Sequence, residues 1–322
     1  MKDTEYAYAV SHIRAHETAL LSNAELEQLI SEKSAKDALR ILTDKGFNID
    51  NFNSVNEMLN EKLLEAYTLI EDSAPDKEKL KILTVRNDFN NLKAALKSLA
   101  ADTDPSSCYI FPTTLDLEEM YKALADKRYF DLPIQMQYIA RKAYDILIRS
   151  MDAQRCDVCV DKFTLRSMQE IANKAKNDFI NRYVDAFVAL TDIKTAYRCA
   201  KTKKHHNFIY DSICGSKDIQ KEMLIAAAEK GVDALLEYLE KTSYRQAALK
   251  LKESTEAFER YSDDALMQIV KDAKLKAFGI EPLLAYYLAM EMQIKCLRII
   301  LECKAMGVSE DAIRERMREL YV

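Results

Sequence analysis

The chain has 322 residues, 48% hydrophobic and 31% charged, with 5 Gly, 5 Pro and no Trp. So little glycine argues against phosphate-cradling loops and tight β-turns, which need positive φ where only Gly is cheap, and 47 Lys+Arg against 52 Asp+Glu leave −5, without the basic excess of a nucleic-acid binder. At about 150 residues per domain the length predicts two or three compact units, each able to bury a core without disulfides or metals.

The opening MKDTEYAYAV carries Asp3 and Glu5 and no apolar segment before a cleavage site, which reads as a cytosolic start. The longest uncharged stretch, Pro105 to Leu115, falls well short of the ~20 apolar residues that cross a bilayer, so no membrane span is expected. Seven cysteines, an odd number, spread over a charge-rich chain predict reduced thiols.

Apolar positions recur at spacings of three and four, so the expected fold class is all-α. Tyr6, Val10, Ile13, Thr18 and Leu21, interleaved with Arg14 and Glu17, predict a first helix with one wet edge. His12 and His16 are four apart, but the Glu that metalloproteases place after the first His is Ile13 here, so they read as surface or interface histidines. Ser22 and Glu25 form an S-x-x-E capping box that starts a second helix. Residues 100–114, with Pro105 and Pro112, lack helical spacing and predict an elbow between units. Cys156-Asp157-Val158-Cys159 is a C-x-x-C without the second ligand pair of a structural zinc site, and reads as two thiols one helical turn apart. Residues 201–217, KTKKHHNFIYDSICGSK, join a basic patch to Gly215 and predict a second elbow.

Further helix starts are expected at Ser262, followed by Asp263 and Asp264, and at Ser309, followed by Glu310 and Asp311, because acids in a first turn favour the positive end of the helix dipole. Asp263, Asp264 and Asp272 loosely resemble a magnesium-binding signature, but the spacing is wrong and a cap explains them better. From Pro282 to Leu301 a helix is apolar nearly all round yet carries Glu291, Lys295, Arg298 and Glu302 in one stripe. Glu291–Lys295 and Arg298–Glu302 are spaced as i,i+4 ion pairs, and the stripe is either a solvated face or an internal network joining units. Arg314, Arg316 and Arg318 then lie on a terminal helix, facing solvent or an acidic partner.

A repeat organises these pieces. Asn91-Leu92-Lys93, Asp192-Ile193-Lys194 and Gln293-Ile294-Lys295 place their lysines at equal intervals of 101 residues, each late in a long apolar helix followed by an elbow and a new helix near Leu115, Ile219 or Ala312. Ile13-Arg14, with Leu20, Leu21 and the cap at Ser22, looks like a further copy. A period near one hundred exceeds the ~34 to ~47 residues of a solenoid repeat, so each unit is a lobe with its own core. The expected domains are three similar helical lobes, 1–105, 106–205 and 206–322, with the first and last helices packed together.

The two ends resemble one family over nearly the full length: the C subunit of archaeal and bacterial V-type (A-type) ATP synthases, the counterpart of the d subunit of the eukaryotic V-ATPase. YAYAVSHIRAHETALLS at 6–22 is similar to the family's opening, and EPLLAYYLAMEMQIKCLRIILECK at 281–304, followed by a helix ending in RELYV, to its close. His12 stands where the family typically has arginine. The resemblance implies a three-lobed, all-α funnel with no catalytic activity and no cofactor or metal. It implies a rotor adapter between the central stalk, made of the D and F subunits, and the proteolipid ring, cytoplasmic and peripheral to the membrane. The interface or cavity residues expected are Arg14, Glu17, Lys93, Lys194, Glu291, Lys295 and Arg298, the recurring charges on otherwise apolar helices. An all-helical protein-binding scaffold and a helical enzyme with a pocket of perturbed acids or a metal are the alternatives.

Overall fold

The computed structural model describes residues 3–322, so the reading of the amino terminus rests partly on Met1 and Lys2, which lie outside the described residues. Every regular element among them is helical. In chain order the first four helices are α1 (Ala7–Glu17), α2 (Asn23–Ser31), α3 (Ala35–Asp44) and α4 (Val55–Ser73). Next come α5 (Lys81–Ala101), α6 (Leu117–Ala125), α7 (Ile134–Ser150), α8 (Ala153–Ala175), α9 (Asp178–Lys201), α10 (His206–Ser212), α11 (Lys221–Lys230), α12 (Val232–Glu240) and α13 (Arg245–Glu253). The last three are α14 (Thr255–Lys271), α15 (Glu281–Ala305) and α16 (Glu310–Arg314). The chain divides into two compact units: one joins the residues up to Leu80 to Glu253–Val322, and the other is the continuous stretch Lys81–Lys252.

Short polar side chains decide where these helices start. Ser22 Oγ accepts from the Glu25 amide at 3.4 Å while Glu25 Oε2 accepts from the Ser22 amide at 2.8 Å, the reciprocal box its spacing implied. Ser34, Ser54, Asp116, Asp152, Asn177 and Ser309 cap later helices through the third amide beyond them, each worth about 1 kcal/mol. The start expected at Ser262 is not there. Ser254 caps α14 instead, and Ser262 lies mid-helix, its hydroxyl donating back to the Phe258 carbonyl at 2.9 Å. A mid-helix serine can satisfy itself this way, so Ser-Asp-Asp does not force a boundary.

In the first unit α15 is the central element. Nearly all its faces are covered, by α4, α1 and α3 among others. Its Ile294, Leu297, Ile300 and Leu301 share a core with Leu21, Leu26, Leu29 and Ile30 of the opening segment and Met58 and Leu59 of α4, all almost fully buried. Each such side chain contributes about 1.5–3 kcal/mol of transfer free energy, so the two ends of the sequence stabilise each other. The terminal helix is shorter than expected: α16 stops at Arg314, and Leu320 and Tyr321 reach the core from irregular backbone. Their burial, together with the bonds of Arg318 and Glu319 described below, holds this tail in place of further helical turns.

In the second unit α9 occupies the corresponding position, burying Ile180, Val184, Val188, Ile193 and Ala196 and packing against α8, α11 and α12. The stretch holding Pro105 and Pro112 is the elbow between α5 and α6, inside this unit. The basic stretch 201–217 leaves α9 at Lys201, forms α10 and turns at Gly215. That glycine has φ +94°, and a Cβ added to it would sit 3.3 Å from Lys221 Cβ, so both backbone and space ask for Gly.

Candidate functional site

The stripe on α15 is tied to neighbouring elements. Lys295 Nζ lies 2.5 Å from Asp263 Oδ2 on α14, and Arg318 Nε reaches the same carboxylate oxygen at 2.9 Å. Arg298 donates from Nε to Asn56 Oδ1 at 2.8 Å and from Nη2 to Asn60 Oδ1 at 3.0 Å, rather than pairing with Glu302 one turn on. A long guanidinium beside α4 finds two amide oxygens in fixed positions there, a better match than a solvated carboxylate on its own helix. Glu291 is half-buried on the same helix.

Asp263, expected as part of a cap, is therefore the shared anion of a three-residue network, and Asp264 beside it accepts the Glu319 amide at 2.7 Å. Lys271 reaches Glu319 at 2.5 Å and holds its carboxyl below the usual range. Arg318 has only 10% of its side chain exposed, so it is not the solvent-facing arginine its context suggested. Arg314, by contrast, is partly exposed and pairs with Glu27 at 3.0 Å and with Glu310 at 2.9 Å.

Arg14 and Glu17 come together on α1, with Arg14 Nη1 2.6 Å from Glu17 Oε2. The other arm of Arg14, Nη2, donates to the carbonyls of Ala273 at 2.8 Å, Lys276 at 3.0 Å and Lys274 at 3.2 Å. Tyr321 donates its hydroxyl to Glu17 Oε1 at 3.2 Å, and burial, then the Glu17 charge, push that phenol up to about 12. One guanidinium thus satisfies three carbonyls and a carboxylate and fixes the segment between α14 and α15 to α1. Hydrogen bonds of this charged kind are worth about 1.5–3 kcal/mol each where water is excluded, and less at this partly exposed site.

The two remaining expected residues lie in the second unit. Lys93 on α5 pairs with Asp161 of α8 at 2.5 Å, and Lys97 repeats the contact with Asp157 one turn on at 2.6 Å. Lys194 is half-buried on α9. Cys156 and Cys159 lie in α8, and burial pushes the Cys156 thiol up to about 11, away from thiolate chemistry. No group of three or more His, Cys, Asp or Glu side chains able to hold a metal occurs among the described residues.

The repeated tripeptides mark a feature that attention to their lysines missed. The residue two places before each lysine is polar and almost fully buried: Asn91 at 0%, Asp192 at 1% and Gln293 at 2% exposure. All three grip the backbone of an elbow that leads into a helix. Asn91 accepts from the Ile110 amide at 2.7 Å and donates to its carbonyl at 2.9 Å. Asp192 accepts from the amides of Cys214 at 2.9 Å and Gly215 at 2.6 Å. Gln293 accepts from the Leu21 amide at 2.7 Å, just before the Ser22 cap. A polar side chain on an apolar face of a buried helix was the signal available in the sequence.

Taken together, these side chains orient elements and satisfy buried backbone; the arrangement supports stiffness. The family model for the ATP synthase (C/AC39) subunit matches residues 9–316. The C subunit of the V-type sodium ATPase of Enterococcus hirae is 26% identical over 317 residues, covering 96% of this chain and 97% of that protein. The C subunit of the A-type ATP synthase of Methanocaldococcus jannaschii is 22% identical over 354 residues, covering 98% of this chain and 86% of its own. That of Thermococcus kodakarensis is 20% identical over 343 residues, covering 99% and 92%.

Proposed function

Because this chain belongs to the ATP synthase (C/AC39) subunit family, a non-catalytic subunit of the V/A-type ATP synthase, we propose that it is the complex's rotor adapter. In this reading it couples the D and F subunits of the central stalk to the proteolipid ring and passes torque between them. The observation that carries it is the family match from residue 9 to residue 316. The physics of the job is consistent. A torque-bearing coupling needs well-packed helices, and the buried clasps and cross-element ion pairs supply that stiffness. Contacts with ring loops in water call for polar mating surfaces.

No helix among the described residues is long and apolar enough to cross a membrane, which suits a peripheral position on a membrane-bound complex. We propose further that the chain forms three similar lobes, 1–105, 106–205 and 206–322, with each clasp tying one lobe to the next: Asn91 to Ile110, Asp192 to Cys214 and Gly215, and Gln293 to Leu21. Arg14, Glu17, Lys93, Lys194, Glu291, Lys295 and Arg298 are proposed to line interfaces or an inner cavity of these lobes. Lys295 and Arg298, partly open to solvent, are the members best placed to meet a partner.

The test is reconstitution. The purified chain should retain the D and F subunits on one side and the isolated proteolipid ring on the other, and form the ternary assembly with both. Retention of neither by a folded chain sinks the reading. Lys295→Gln with Arg298→Gln, which avoids placing an acid against Asp263, should weaken stalk or ring retention while the helical circular dichroism is unchanged.

A further inference from the structure

The second unit carries a groove of about 770 Å³ whose floor is α8 and whose walls are α7 and α10. Its lining runs along α8 from Asp152 to Arg166, which at 1.5 Å per residue is roughly 21 Å. That is the length of a four-turn helix. The middle of the floor is apolar, formed by Val158, Cys159 and Phe163, all half-buried. The rim is basic, with Lys142 from α7, Arg155, Lys162 and Arg166 from α8, and His205 at the start of α10.

These cations are held without carboxylates. Lys162 Nζ donates to the Tyr210 carbonyl at 2.7 Å and lies 5.1 Å from that ring, while Lys221 Nζ lies 4.0 Å from the same ring. Lys142 sits 5.9 Å from the Tyr138 ring. Among the described residues, the guanidinium groups of Arg155 and Arg166 have no ion pair or hydrogen bond. Of the two acids in the lining, Asp152 already caps α8 by accepting the Arg155 amide at 2.8 Å, which leaves Asp211. Burial first, then the charges of Lys221 and Arg166, bring Lys162 down to about 8, a sign of crowded positive charge. The chain as a whole has a net charge of −5, so this rim runs against its overall sign.

We propose that this groove docks an acidic amphipathic helix of another subunit of the complex, its apolar face on Val158, Cys159 and Phe163 and its carboxylates on Arg155, Lys162 and Arg166. The proposal rests on the reading of the chain as a V/A-type ATPase subunit. Groove length and apolar floor select a helix over a compact anion, which would cover the rim and leave the floor wet. Tyr138, 62% exposed, and Tyr210, 49% exposed, extend the contact as flat amphipathic surfaces suited to interfaces.

The experiment uses the full chain and each other purified subunit of the same complex in turn, with affinities measured by fluorescence anisotropy at low and high salt. Arg155→Glu with Arg166→Glu should weaken binding of one subunit at least tenfold and flatten its salt dependence. Lys33→Glu with Lys36→Glu, an equal charge change on the first unit, should leave that affinity unchanged. Circular dichroism melts confirm that both variants fold. If the wild-type chain binds subunits and the groove variant binds all of them equally well, the docking proposal fails alone. If the folded wild-type chain binds none, the functional reading fails and takes this proposal with it. Sodium tripolyphosphate is the remaining probe: binding that the Arg155/Arg166 variant abolishes, with subunit affinities unchanged, reassigns the groove to a small anion and overturns the proposal.

Discussion

Asp192 sits where its two counterparts in the repeat are amides, and that difference sets its pH behaviour. Burial pushes its carboxyl up to about 6 despite the two amide hydrogen bonds it accepts. The folded chain therefore holds a proton that the unfolded chain releases near pH 4. This contribution to stability is complete below about pH 4 and is lost as the pH rises through about 6. At about 1.4 kcal/mol per pH unit the loss approaches 3 kcal/mol. Asp192→Asn removes the titration, so the stability of the wild type minus that of the variant should fall by up to ~3 kcal/mol between pH 4 and pH 7 in urea titrations. A flat difference would mean that the carboxylate is better solvated than its burial implies. At Gln293 the issue is satisfaction of a buried donor. Gln293→Leu keeps the volume but leaves the Leu21 amide unpaired beside the α2 cap, at a cost of about 1–3 kcal/mol. The urea midpoint should drop with the slope unchanged; an unchanged midpoint would show that the clasp contributes nothing.

At the scale of elements, two serines separate local chemistry from tertiary choice. Ser254→Ala should cost about 1 kcal/mol of stability by uncapping α14, whereas Ser262→Ala, which removes only a back-bond to Phe258, should stay within about 0.5 kcal/mol. Equal thermal shifts for the two would contradict this assignment. The pair also shows what the sequence made legible. Capping at Ser22 and Ser309 could be read because the helix upstream of each has already ended, at Glu17 and at Ala305, so the polar residue stands at a true start. Ser262-Asp263-Asp264 carries the same letters, but its acids are taken by Lys295, Arg318 and the Glu319 amide, all distant in sequence. Long-range partners of this kind leave no local trace. The same reason hid the role of Arg318 and the end of α16 at Arg314, since the tail is fixed by contacts with α14 and α1 and not by its own helix propensity. The interval of 101 residues was visible, yet it pointed to lysines on the half-exposed edge. The buried neighbours Asn91, Asp192 and Gln293 perform the common task, and burial cannot be read from a tripeptide.

At the scale of the molecule, the two units differ in how the chain makes them. Lys81–Lys252 is continuous, carries α5 to α12 and all of α13 but its last residue, and contains two complete clasps, Asn91 on Ile110 and Asp192 on Cys214 and Gly215. The other unit needs both ends: its core joins Leu26, Leu29, Met58 and Leu59 to Ile294, Leu297, Ile300 and Leu301, and its clasp runs from Gln293 to Leu21. Isolated helices of ordinary length are marginal in water, so a fragment without its core partner has little to hold it helical. A fragment of residues 81–252 should therefore show strong helical circular dichroism and one cooperative melt. Residues 1–80 alone should be largely unfolded and gain helicity when mixed with residues 253–322, because only then can α15 be covered. If residues 1–80 fold alone as cooperatively as 81–252, the joining of the two ends is not what stabilises the first unit. With both ends of the chain in one core and the Gln293 clasp on Leu21, loosening either terminal segment exposes apolar surface of the other.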